Sequence, residues 1–332
     1  MAVRQGAMPV LSVIVPMFNE AKNLEQLFGR LVPAVEPLHM PYEIVCVDDG
    51  SRDDTLARLL ELRERNPAIK VVSLSRNFGK EIALTAGLQH AAGRAAVPID
   101  ADLQHPPEMI GRLVEKWREG YEVVYAVRES RDTDSFSRRL SARGFYWIFG
   151  HLSDIPLPRD AGDFRLIDRR VVDAINSMPE RSRFMKGIFA WVGFRQIGVP
   201  YTVEPRREGS SGWSVRRLFH FAVDGLTSFS NFPLIAWGYV GAIIASISLV
   251  TGAYFVLRTL FLGVDVPGYA SLMVAVLFFG GVQLITLGII GSYIGRIFQE
   301  VKRRPLYIVR ETHGFAAAEA RPAEPPARIT GP

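Results

Sequence analysis

The chain has 332 residues, enough for one large or two ordinary domains, with 48% hydrophobic and 22% charged residues. Cys46 is the single cysteine, which excludes an intrachain disulfide and any CxxC metal site. The net charge of +5 suits a surface that meets anionic lipid or phosphorylated substrates; with no basic stripe interleaved with stacking aromatics, nucleic acid is not an expected partner.

Short apolar runs alternate with amphipathic stretches over the first half. Strands are predicted over Val10–Val15, Tyr42–Val47, Ile69–Ser73, Ala95–Ile99 and Val123–Val127. Helices are predicted from about Glu20, over Asp53–Arg65, over Lys80–Ala92 and over Pro107–Arg118. Cys46, inside Ile44–Val47, reads as a small buried strand residue. This alternation implies an α/β fold with a mostly parallel, Rossmann-like sheet covered on both faces. Ligands in such sheets bind beyond the carboxyl ends of the strands. Four polar segments fall there: Pro16–Glu20, Asp48–Ser51, Arg76–Lys80 and Asp100–Gln104.

Past about Phe229 the chain turns apolar for some 65 residues and then basic. Phe232–Leu257 and Val266–Gly295 are uncharged and exceed the ~20 residues that a spanning helix needs. Trp237, Tyr239, Tyr269 and Tyr293 sit near their ends, as interface anchors do. The loop between them has Arg258, whereas the outer flanks carry Arg216, Arg217, Arg296, Lys302, Arg303 and Arg304. The positive-inside rule then puts both termini and the α/β domain in the cytoplasm. Ser214–Ser230 reads either as an amphipathic helix on the membrane surface or as a helix packed on the globular domain. No apolar segment precedes the first strand, so no signal peptide is expected. The expected organisation is a catalytic domain over 1–213, a juxtamembrane helix over 214–230, spans over 231–258 and 266–295, and a basic tail over 296–332 with a disordered end.

Asp100-Ala101-Asp102 closes the fourth strand. Two close carboxylates repel unless a cation or shared proton neutralises them, and a hard divalent ion bridging to a diphosphate is a natural partner. Gln104 offers a third oxygen. A helix-capping Asp pair before Pro106-Pro107 is the plain alternative. Asp48-Asp49-Gly50-Ser51 fits both a turn and a set of acceptors for a base or ribose. Gly79 relaxes the backbone before a helix whose N-terminus attracts phosphate.

Together these segments resemble the family-2 glycosyltransferases of GT-A fold. The resemblance runs through Val13-Ile14-Val15-Pro16-Met17-Phe18-Asn19-Glu20, Val47–Ser51, Ser75–Lys80 and Ile99–Glu108. It continues through Gly162–Arg169, Arg183–Gly187 and both hydrophobic stretches, and is nearest to the two-span polyprenyl-phosphate sugar transferases of the bactoprenol glucosyltransferase and dolichyl-phosphate mannose synthase type. It implies that Pro16, Phe18, Glu20, Asp48, Asp49, Asp100 and Ala101 line the nucleotide pocket. Asp102 and Gln104 are implied ligands of Mg2+ or Mn2+, with Asp100 and Asp102 counted as catalytic. Asp163 is the implied candidate base; its other roles are orienting a sugar hydroxyl or pairing with an Arg. Arg128, Arg131, Arg138 and Arg139 follow the fifth strand, where the family binds the lipid phosphate. In the segment Arg206-Arg207-Glu208-Gly209-Ser210-Ser211-Gly212-Trp213, Gly212 stands where the family often has lysine. Arg206, Arg207 or Lys186 then stand in as cations for the diphosphate or a lid.

The implied reaction is inverting sugar transfer, foremost of glucose from UDP-glucose, to undecaprenyl phosphate at the inner face of the plasma membrane. GDP-mannose, UDP-N-acetylhexosamine and UDP-aminoarabinose are alternative donors, and an inactive nucleotide-sugar-binding scaffold is an alternative from another class. A processive synthase would add a Q-x-x-R-W motif and more spans, and a transporter would call for intramembrane charge. The expected partners are a nucleotide sugar, a polyprenyl phosphate lipid, the membrane and a second copy of the chain.

Overall fold

The computed structural model describes residues 9–128, 161–178, 180, 181, 183, 185–201, 232–262 and 268–315. The chain divides into two compact units: one holds the sheet and the residues from Arg304 onward, the other the long helices up to Arg303.

The first unit is built on eight strands: β1 (Leu11–Met17), β2 (Tyr42–Asp48), β3 (Ile69–Leu74), β4 (Ala95–Pro98), β5 (Val123–Arg128), β6 (Ala161–Asp168), β7 (Gln196–Tyr201) and β8 (Val309–His313). Their order in one sheet is β7-β5-β6-β4-β1-β2-β3-β8. The β3-β2-β1-β4 block is parallel throughout, with Pro16 opposite Val47 and Met17 opposite Asp48. β6 and β8 run antiparallel to their neighbours. β1 and β2 are buried along nearly their whole length, as a sheet covered on both faces requires.

Helix α1 (Leu24–Val35) presents Leu24, Leu27, Phe28, Leu31 and Val35 to the core at helical spacing, which leaves Pro33 outward. Helices α2 (Thr55–Arg65) and α4 (Ile110–Arg118) are likewise one-sided. Helix α3 (Lys80–His90) differs, with Ala83 through Leu88 all buried. It lies so close on β1 that a Cβ at Gly87 would stand 2.2 Å from Ile14 Cγ2. Helices α5 (Arg169–Ser177) and α6 (Met185–Trp191) follow β6; Asp168 caps α5 by accepting from the Arg170 amide.

The expected tail is partly structured. β8 pairs with β3, and the Ser75 amide donates to Ile308 at 2.9 Å. Tyr307 donates its hydroxyl to Gln89 at 2.6 Å, and burial pushes its pKa up to about 12. Phe315 meets the His90 ring edge-on with centroids 5.5 Å apart, and Lys70 lies 5.0 Å over it. The sequence hid this strand because Arg310, Glu311, Thr312 and His313 carry no apolar run. An edge strand tolerates such polarity.

The second unit contains helices α7 (Phe232–Leu262, 31 residues) and α8 (Tyr269–Val301, 33 residues). At 1.5 Å per residue each is roughly 45–50 Å long, beyond the ~30 Å hydrocarbon core of a bilayer. Both outrun the predicted stretches, α8 by passing Arg296 to Val301. Among the described residues, the stretch both long and apolar enough to cross a membrane is Phe278–Val301. Ile247, Val250 and Tyr254 on α7 and Leu284, Leu287 and Ile294 on α8 are exposed, a large apolar surface for water to meet.

Candidate active site

In an open α/β sheet the binding crevice opens where the chain reverses its direction of travel across the strands. Here that point lies between β1 and β4, beside Phe18–Glu20 and Asp100–Gln104. Three sets of contacts lock the surrounding loops together.

The loop after β1 is tied to the loop after β2. Asn19, at φ 56°, donates its amide to Ser51 Oγ at 2.9 Å and accepts from the Arg52 amide at 2.8 Å. Glu20 donates its amide to Thr55 Oγ1 at 2.9 Å, and the Ala21 amide donates to Asp53 at 3.3 Å. Phe18 is left 40% exposed, its ring free to stack on a planar ligand.

The loop after β2 is tied to the loop after β3. Asp49, 2% exposed, accepts the Phe78 amide at 2.7 Å and the Gly79 amide at 2.9 Å, one on each carboxylate oxygen. Burial pushes its carboxyl pKa up, and these two bonds pull against the rise. Asp48, equally buried, accepts from the Ser51 amide at 3.1 Å and from Ser73 Oγ at 3.2 Å. Gly50 has φ 68°, and a Cβ there would fall 2.4 Å from the Arg76 carbonyl carbon.

The loop after β3 is tied to the loop after β4 by an ion pair. Lys80 Nζ lies 2.7 Å from one oxygen of Asp100 and 2.8 Å from the other. His105 Nδ1 stands 3.9 Å from the same carboxylate, its ring stacked on Phe164 with centroids 5.2 Å apart. Pro16, Lys80, Leu84, Ile99, Asp100, His105 and Phe164 line one small cleft. Leu103 takes φ 56°, and Asp102 accepts from the Gln104 amide at 3.1 Å, which closes the acidic turn over buried Ala101.

Negative charge gathers here. Burial raises the Glu20 carboxyl pKa against an opposing bond from Asn23, and the carboxylates of Asp102, Asp53 and Asp100 raise it further. At Asp53 burial is outweighed by bonds from the Thr55 hydroxyl and from the Thr55 and Ala21 amides, and its pKa falls. Among the described residues no three His, Cys, Asp or Glu side chains form a ready-made cage for a metal. Mg2+ and Mn2+ bind through one or two carboxylates and complete their shells with water and phosphate. The hard oxygens of Asp100, Asp102 and Gln104 fit such an ion.

Of the residues predicted from sequence, Pro16, Phe18, Glu20, Asp48, Asp49, Asp100, Ala101, Asp102 and Gln104 share this sheet edge. Asp48 and Asp49 spend their oxygens on loop amides and a hydroxyl, so their visible work is to shape the pocket. Asp163 lies near the start of β6 and Arg128 ends β5, both at the same edge. Lys186 lies in α6. Arg131, Arg138, Arg139, Arg206 and Arg207 lie outside the described residues. Lys80, His105 and Phe164 were not singled out from the sequence. A lysine at the first position of a helix, where the dipole disfavours a cation, was the available sign for Lys80.

A parallel block with an acidic crevice at its reversal point, extended by antiparallel strands, defines the GT-A class of glycosyltransferase fold. The chain belongs to glycosyl transferase family 2, whose profile matches residues 12–175. It is 55% identical over 305 residues to an uncharacterized glycosyltransferase of Synechocystis sp., covering 92% of this chain and 96% of the relative. It is 45% identical over 305 residues to the SfII prophage-derived bactoprenol glucosyl transferase of Shigella flexneri, covering 91% and 98%. A solved mannosyltransferase from Pyrobaculum calidifontis, in complex with GDP-Man and Mn2+, aligns at 21% identity and TM-score 0.49 over 92% of this chain and 90% of that one. The protein is a glycosyltransferase.

Proposed function

We propose that the protein transfers glucose from UDP-glucose to a polyprenyl phosphate, with inversion, at the cytoplasmic face of the membrane. The observation that carries this is the near-full-length match to a bactoprenol glucosyl transferase, together with the acidic crevice at the sheet's reversal point. Helices α7 and α8 serve as two spans, with the sheet unit and both termini on the cytoplasmic side; the cationic flanks and the nearly uncharged connection between them support that orientation.

Phe18 stacks on the base, and the loops held by Asp48 and Asp49 form the nucleoside pocket around it. Asp102 and Gln104 would hold Mg2+ or Mn2+, with Asp100 helping to hold the ion and the nucleotide; when bound, the ion would supply charge neutralisation at the leaving diphosphate. Arg128, with Arg131, Arg138 and Arg139, binds the lipid phosphate, since guanidinium groups match its oxygens in pairs. Lys186, Arg206 and Arg207 supply cations toward the diphosphate in place of the lysine that Gly212 replaces. The lipid phosphate oxygen attacks the anomeric carbon, the bond from that carbon to the diphosphate breaks, and UDP departs. A phosphate with a second pKa near 6 is already anionic at neutral pH, so Asp163 orients the acceptor or a sugar hydroxyl and need not take a proton.

The test is to offer labelled UDP-glucose, GDP-mannose and UDP-N-acetylglucosamine with undecaprenyl phosphate to the purified full-length protein, with Mn2+ and with EDTA. Lipid-linked glucose is expected with Mn2+ and not with EDTA. Absence of lipid-linked product from every donor would reject the proposal.

A further inference from the structure

Lys80 opens α3, whose N-terminal amides disfavour a cation, yet its ammonium sits on both oxygens of Asp100. The pair is half in water, with the two side chains retaining 46% and 25% of their exposure. Such pairs bind weakly and exchange readily. The backbone beneath is fixed, because Asp49 clamps the Phe78 and Gly79 amides. Any movement of the ammonium is therefore a rotation of the four-carbon stem about a fixed root. Asp100 also belongs to the group of carboxylates around Glu20. A crowd of like charges is held together by a neighbouring positive charge, and on Asp100 that charge is the ammonium.

We propose that Lys80 is a placeholder cation: it competes with the divalent ion for the carboxylate of Asp100, so that an ion taking that carboxylate displaces the ammonium. Lys80 is thus a positioning residue that keeps Asp100 aimed into the crevice and weakens the enzyme's hold on metal. The inference rests on the metal-dependent reading above. The competing account is a plain staple between α3 and the loop after β4, whose loss would lower stability and leave metal affinity where it was.

Mn2+ uptake by the purified full-length protein, followed by electron paramagnetic resonance without donor or acceptor, separates the two. Lys80→Met is expected to bind Mn2+ roughly five-fold tighter, and Lys80→Arg to stay within about two-fold of wild type, since it keeps the competing charge. In an Asp100→Asn background the Lys80→Met gain should shrink below about two-fold, because the contested carboxylate is gone. Loss of measurable uptake in Asp100→Asn alone would place Asp100 at the ion, and the Lys80→Met affinity then decides the exchange. Unchanged or weaker binding in Lys80→Met overturns it, and so does a gain that persists undiminished with Asp100→Asn. Wild-type protein that takes up no Mn2+ at all overturns the metal-dependent reading and the exchange with it. Uptake by the wild type with an unmoved Lys80→Met affinity overturns the exchange alone.

Discussion

Asp49→Asn tests the loop architecture directly. The wild-type carboxylate gives one oxygen to each of two amides, at 2.7 and 2.9 Å, in a position 2% exposed. Asparagine has one oxygen and one amino group, so one amide keeps its acceptor while the other faces a donor. A hydrogen bond to a charged group contributes ~1.5–3 kcal/mol, and an unsatisfied buried amide costs ~1–3 kcal/mol. Against this stands the relief of no longer burying a charge, whose cost the raised pKa of Asp49 reveals. The net loss is about 2 kcal/mol, or a fall in Tm of roughly 4–8 °C for a domain of this size. Hydrogen exchange on the full-length protein should show the Phe78 and Gly79 amides exchanging about 30-fold faster, the factor that ~2 kcal/mol corresponds to. Affinity for UDP should fall with it. Wild-type exchange at those two amides in Asp49→Asn would refute the clamp.

Gly50→Ala should be worse than an ordinary turn substitution. It forces an L-residue to φ 68° and drives a Cβ to within 2.4 Å of the Arg76 backbone, so UDP binding should be lost at a stability cost of ~2 kcal/mol or more, read by calorimetry and thermal melting. Asp102→Asn should abolish lipid-linked product and Mn2+ uptake while leaving membrane insertion intact, as checked by alkaline extraction. Asp163→Asn should slow transfer without moving the acidic limb of the pH–rate profile; disappearance of that limb would make it the base. Burial holds His90 below its ordinary 6.5, with its bond to the Ala86 carbonyl opposing. As pH falls through 6.5 the unfolded chain takes up a proton that the folded ring resists, so stability drops on acidification. His90→Gln should flatten the fall in melting temperature on acidification below about pH 6.5.

The first five strands were legible because each is an apolar run ended by turn residues, and they begin and end within two residues of the predicted bounds. β6 was not. Its centre carries Arg165, 4% exposed, whose guanidinium lies 4.1 Å over the Phe189 ring; a buried cation paired with a distant aromatic leaves no local pattern. The acidic residues of the crevice were legible as strand-end carboxylates. Their division of labour was not, because it depends on which amide each oxygen meets. Asp49 meets residues 78 and 79 across the neighbouring strands β2 and β3, and Asp100 meets Lys80 from beyond β4, which β1 and β2 separate from β3; no spacing rule connects either pair.

The eighth strand separates the order of synthesis from the order of assembly. β3 gains its outer neighbour only after α7 and α8 have been made. At ~5–20 residues per second, the interval from Leu74 to Val309 leaves that edge unpaired for roughly 10–50 s of translation. An open, apolar strand edge is a template for pairing with another chain. The nascent transferase domain is thus open to self-association until α7, α8 and β8 have all been made, and fusion partners or truncations placed before Val309 would make that state permanent.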